Sequence, residues 1–203
     1  MIFAAHAKLP TGWAMNVRLS LAEGRITAIE TDQTAQPGDT CVDTLLPALA
    51  NLHSHSFQRA MAGMTEYRMA GRDSFWTWRD LMYRFTGALT PEQVEAIAAL
   101  VFMEMQEAGF ASVGEFHYLH HQPGGAPYDD LGELSVRIMA AAAATGIGLT
   151  HLPVLYTYGG AGQQPLQAGQ ARFGNSVDRF AELVAQAEAA VTDLPADCRV
   201  GIA

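Results

Sequence analysis

The stretch "LLPALANLHSHSFQRA", residues 45–60, runs from an apolar segment straight into two histidines one residue apart, His53 and His55, and on into Gln58 and Arg59. Leu45 to Leu52 form the apolar run expected of a buried strand. Side chains two apart on a strand point the same way and stand close together, so His53 and His55 at a strand end can both reach one metal ion. A chain with seven histidines also produces such a pair by composition alone. The surroundings decide which reading holds.

Downstream the pattern alternates between strands and long helical segments. "TPEQVEAIAALVFMEMQEAG" carries helix signals at both ends: Thr90 and Gln93 at capping-box spacing, Pro91 in the first turn, Val94, Ile97, Ala98 and Val101 on one face, and Gly109 as the stop. "FASVGEFH" reads as the next strand, residues 129–145 as a helix stopped at Gly146, and "IGLTHLPVLY" as a third strand. Ser176 caps "VDRFAELVAQAEAAV", and "CRVGIA" starts a fourth strand. Such alternation implies a parallel sheet covered by crossover helices. Residues 46–203 are therefore expected to form the first four β/α units, half of a (β/α)8 barrel whose complete form takes about 250 residues. On this reading the chain is truncated. The competing arrangement is a complete doubly wound domain of four or five strands, which would leave the last strand bare at the terminus.

Upstream, "AMNVRLSLAEGRITAIE", residues 14–30, alternates apolar and polar positions on both sides of Glu23-Gly24, the pattern of two antiparallel strands joined by a tight turn. "TDQTAQPGDTC" reads as a connection. Residues 1–45 are thus expected to be a small β element, with a boundary near 45.

The balance of 12 basic against 21 acidic residues, −9 overall, argues against nucleic acid, whose phosphates need a basic face, and points to small-molecule partners. No basic leader or long uncharged apolar span predicts membrane insertion. Cys41 and Cys198 are far apart and lack metal-ligand spacing, so buried reduced thiols and a cytoplasmic location are expected.

Other candidates are weaker. His117 ends the second strand on the side of the barrel mouth, His120 and His121 fall in the loop beyond it, and two of these three are expected to face solvent. His151 inside the third strand is either a pocket residue or a hydrogen-bonded core histidine. Lys8 is the only lysine, and Arg59, Arg68, Arg72, Arg79 and Arg84 cluster together. Arg suits planar carboxylates. In "DSFWTWRDLMYRF" the bland reading is a helix that buries its aromatics and solvates its charges; the functional one is a clamp for an acidic substrate.

Three segments together, "LPALANLHSHSFQRAMAG", "DSFWTWRDLMYRF" and "SVGEFHYLHH", resemble the formimidoylglutamate deiminases, amidohydrolase-superfamily enzymes of histidine degradation. The resemblance covers nearly the whole chain. It implies hydrolysis of N-formimino-L-glutamate to N-formyl-L-glutamate and ammonia with a bound divalent metal, usually zinc. By the same resemblance His53 and His55 match the paired first-strand metal ligands, and Gln58, Arg79 and Tyr118 match positions lining the substrate pocket. The family's remaining ligands, a histidine and an aspartate, and its glutamate and histidine for proton transfer come from the second half of the barrel. No catalytic acid or base is therefore expected within 1–203, and the chain alone is expected to be inactive. The implied partner is a small dicarboxylate, and the complete protein is expected to be a homodimer. A purine or pyrimidine deaminase sharing the metal but not the pocket, and a half-barrel serving only as a binding or assembly module, are the alternatives.

Overall fold

The computed structural model describes residues 1–64 and 75–203, which form two compact units, Met1–Ala48 and Leu49–Ala203. In the first, strands β1 (Ile2–Leu9), β2 (Gly12–Ala22), β3 (Arg25–Glu30) and β4 (Thr40–Leu45) make one sheet in the order β3-β2-β1-β4. β2 and β3 are the antiparallel pair legible in the alternation, and Glu23 and Gly24 both take positive φ, as a two-residue hairpin turn of matching twist requires. β1 pairs antiparallel with β2 and parallel with β4. Ala4, Ala7, Val17 and Leu19 are the buried centre. Asp39, just before β4, takes a bidentate ion pair from Arg18 on β2 at 2.9 Å and a hydrogen bond from the Gln36 N–H at 3.0 Å. Arg18 first, then that N–H, draws the Asp39 carboxyl down to about 2. The segment read as a connection thus ends inside a strand at Thr40 and Cys41. Cys41 is exposed and Cys198 half-buried, so neither is the buried thiol expected: β4 is an edge strand, and its inward positions are Val42 and Leu45.

The second unit is a parallel sheet in the order β5-β6-β7-β8, formed by β5 (Leu49–Ser54), β6 (Phe110–His117), β7 (Gly148–Pro153) and β8 (Arg199–Val200). Helices α1 (Phe75–Thr86) and α2 (Pro91–Glu107) lie between β5 and β6 in the chain, α3 (Glu133–Thr145) between β6 and β7, and α4 (Val177–Val191) between β7 and β8. The capping box of Thr90 and Gln93 is formed, Gly146 closes α3 at φ 77°, and the Ser176 hydroxyl accepts from the Arg179 N–H. α3 starts at Glu133 rather than 129, because the Asp130 carboxylate accepts the Gly132 N–H and holds the preceding residues in a turn. Val94, Ala98 and Phe102 of α2, Ile138 and Met139 of α3, Val113 of β6 and Leu149 of β7 build one core.

The apolar run before the histidines is not buried. β5 begins only at Leu49, and Leu49 and Leu52 are 57% and 79% exposed. β5 ends the sheet order with a single neighbour, β6, so its side chains gain little cover. Among the described residues no helix is long and apolar enough to cross a membrane.

Candidate functional site

His53 and His55 leave the end of β5 on the same side, and their Nε2 atoms lie 3.1 Å apart. Two nitrogens on one tetrahedral zinc, each about 2.0–2.1 Å from it, are separated by roughly 3.3 Å, so the pair has the spacing of a chelate. His55 Nδ1 is 2.7 Å from the Phe116 carbonyl, which can only accept; the proton therefore sits on Nδ1 and the Nε2 lone pair is free to bind an ion. Burial lowers the His55 pKa and keeps the ring neutral, the form that a metal needs. The His53 backbone N–H donates to Asn51 Oδ1 at 3.1 Å, and its ring lies against that of Phe116. Among the described residues no third His, Cys, Asp or Glu joins the two.

Beneath the pair is a residue that the sequence reading passed over. Glu115, wholly buried on β6, accepts the Ser56 N–H at 2.6 Å and so fixes the turn that follows His55. Desolvation raises its pKa. A lone glutamate inside an apolar strand was the available signal.

His55 also borders a cleft of about 880 Å³ whose walls include Gln58, Arg79 and Tyr118, so the structure brings four of the five named site residues to one opening. Gln58 Nε2 donates to the Tyr118 hydroxyl at 3.0 Å, and burial pushes the Tyr118 phenol up to about 12. Arg79 Nε donates to the Tyr83 hydroxyl, and its guanidinium lies 5.6 Å from the Trp76 ring centre and 5.1 Å from that of Tyr83. Among the described residues no carboxylate pairs with Arg79, and no Asp or Glu lines the cleft. The other arginines of the cluster stand apart: Arg59 is paired with Glu104 at 2.7 Å, Arg84 is exposed, and Arg68 and Arg72 lie outside the described residues. Nor does α1 simply bury its aromatics, since Phe75 and Trp76 are more than half exposed. The cleft's far wall, with Tyr156, Tyr158, Gly159 and Phe173, was not singled out from sequence, although "LYTYGG" directly follows a barrel strand, where active-site loops belong.

The remaining histidines differ from expectation. His117, His120 and His121 are all buried, none facing solvent. A loop covers them: the His120 and His121 N–H groups both donate to the Arg172 carbonyl, His120 Nε2 bonds the Val154 carbonyl, and His121 Nε2 meets Gly174 and Asn175. His151 is also fully buried, but among the described residues neither of its ring nitrogens meets a partner, which does not fit the hydrogen-bonded core histidine expected from sequence. Its ring packs against that of His117, whose side chain shares the buried face of the sheet with Val113 and Glu115.

Residues 44–188 match the family described as "Amidohydrolase family", and residues 1–42 match "Formimidoylglutamate deiminase HutF, N-terminal domain". A formimidoylglutamate deiminase from Pseudomonas aeruginosa is 50% identical over 184 residues, covering 90% of this chain and 41% of that protein. The crystal structure of an amidohydrolase from Brucella melitensis superposes with a TM-score of 0.94 at 46% identity, over 99% of this chain and 45% of the other. An adenosine deaminase from Xanthomonas campestris, solved with bound zinc, shares the fold alone, at 15% identity and a TM-score of 0.65 over 99% of this chain and 41% of that one. The chain thus spans less than half the length of these relatives, and its parallel sheet with covering helices is the first part of their TIM-like barrel. With more than half of its residues inside the family match and the paired histidines at the end of the first barrel strand, the chain belongs to the amidohydrolase family.

Proposed function

We propose that the protein carrying this chain hydrolyses the C–N bond of N-formimino-L-glutamate, giving N-formyl-L-glutamate and ammonia. The observation that carries this reading is one cleft that joins His55 of the histidine pair to a wall with an arginine and tyrosines and, among the described residues, without acid, in a chain of net charge −9. With no carboxylate among the described residues of that opening, the Arg79 charge there is left to favour an anion. The 50% identical deiminase supports the same assignment.

His53 and His55 would hold a divalent ion, zinc by analogy with the relatives solved with it. When bound, such an ion supplies Lewis acidity and a hydroxide nucleophile near neutral pH. The Phe116 carbonyl keeps His55 in the tautomer that leaves Nε2 free, and Glu115 holds the turn behind it through the Ser56 N–H. Gln58 and the Tyr118 hydroxyl, bonded to each other beside His55, stand at the metal end, where they can hydrogen-bond the amidine and orient its carbon. Arg79, with Nε committed to Tyr83, turns its remaining guanidinium N–H groups to a glutamate carboxylate. The rings of Trp76 and Tyr83 flank the guanidinium and hold it in place for that contact.

Ammonia release from N-formimino-L-glutamate tests the reading, with cytosine and guanine as competing substrates. Turnover should be confined to the linear amidine, stop on chelation, and fall together with bound zinc in His53→Ala and His55→Ala. Preferential release from a ring base, or full activity in the double variant, would overturn it.

A further inference from the structure

Gln170 is wholly buried, and its amide orientation can be deduced. The Gln167 N–H, which can only donate, lies 2.8 Å from Oε1, and the Gly159 carbonyl, which can only accept, lies 3.1 Å from Nε2. Turning the amide over would set donor against donor and acceptor against acceptor, so Nε2 must be the group facing the Tyr156 hydroxyl at 3.0 Å. Tyr156 consequently accepts from Gln170 and has its own O–H proton left to give. Its ring, fixed against buried Phe173, stands on the cleft wall. Phe173 also packs against Tyr83, whose hydroxyl is likewise occupied as an acceptor, by Arg79 Nε. Two phenols held as acceptors on their protein side therefore leave two protons to donate in the cleft that Arg79 lines.

The backbone is built to keep this arrangement. A Cβ on Gly159 would stand 2.7 Å from Gln170 Oε1 and 2.5 Å from the Pro165 carbonyl oxygen, so only glycine allows the loop to come close enough for the Gln170 bonds.

We propose that Tyr156, locked by Gln170 as a hydroxyl donor on the cleft wall, binds the substrate carboxylate together with Arg79 and sets the preference for acidic over neutral amidines. Gln170 is the positioning residue. The proposal rests on the carboxylate-binding role given to the cleft above, and extends it to a residue pair contributed by the loops after β7.

The test is isothermal titration of the full native protein with two probes, N-formyl-L-glutamate and the uncharged N-formylbutylamine. Tyr156→Phe, which removes one oxygen and no ring, should raise Kd for the dicarboxylate about tenfold and that for the neutral probe less than about twofold. Gln170→Met keeps the hydroxyl but frees its rotation, and should show a smaller loss with the same selectivity. A Tyr156→Phe protein that holds the dicarboxylate as tightly as the native one, or loses both probes equally, would overturn the role of Tyr156 while leaving the cleft's function standing. A native protein that binds both probes alike would instead remove the carboxylate reading of the cleft, and this proposal with it.

Discussion

Lowering the pH from 7 to 5 should weaken the α/β unit through its buried histidines, and replacing His151 by Leu should remove a defined share of that loss. Burial pushes His120 down to about 4 and His151 to about 3, with the neighbouring histidine adding to each. In an unfolded chain both titrate near 6.5. Because the folded values lie below the unfolded one, the unfolded chain takes up protons first as the pH falls. The stability is fully present above about 6.5 and is lost progressively towards the folded values. Each group contributes about 1.4 kcal/mol per pH unit across that window, or about 2 kcal/mol between pH 7 and 5. His117 and His121, also lowered by burial, act in the same direction. Glu115, the cross-strand partner of His151, is raised by burial and opposes them, while the charges of Arg179 and Arg172 act on His121 in the same sense as its burial. Comparing native protein with His151→Leu cancels most of these shared contributions and reads His151 together with the part of the His117 shift that it causes. The expected difference, about 2 kcal/mol, corresponds to about 5 °C in the extra fall of Tm for a chain of this size. Thermal melts followed by circular dichroism at the two pH values measure it. Parallel falls in the two proteins, equal to within about 1 °C, would refute the argument that burial of neutral His151 is what acid works against.

Arg172, 3% exposed and without a carboxylate partner among the described residues, donates to the carbonyls of Thr86, Leu89 and His121. Arg172→Met should strand those oxygens and cost about 2–4 kcal/mol, read as a fall of about 5–10 °C in Tm, and Arg172→Lys should not restore it because one ammonium cannot span the fork. At Gly169 a Cβ would stand 2.6 Å from two ring carbons of Tyr83. Gly169→Ala should cost about 1–3 kcal/mol through overpacking and, by displacing Tyr83, weaken N-formyl-L-glutamate binding in the same titration.

Much of this was legible along the chain. The histidine pair, the Glu23-Gly24 hairpin, the Thr90–Gln93 capping box and the Gly146 stop each depend on residues a few positions apart, and short-range geometry suffices to read them. Fold class followed from the same signals, because strand and helix periods differ and their alternation leaves little choice but a parallel sheet. The positions of Gln58, Arg79 and Tyr118 came from motif likeness, and the structure sets them around one cleft. Burial was another matter. Leu52 looks like core and is 79% exposed, while His120 and His121 look like loop and are sealed, because cover is decided by neighbours tens of residues away: β5 has one neighbouring strand among the described residues in the first case, and the Arg172 segment lies over the histidines in the other. The orientation of Tyr156 is likewise invisible along the chain. It depends on an amide fourteen residues on, and on what that amide meets once the loop has folded back over it. Periodicity reports which way a side chain leaves its own backbone; only the packed chain decides what waits there to receive it.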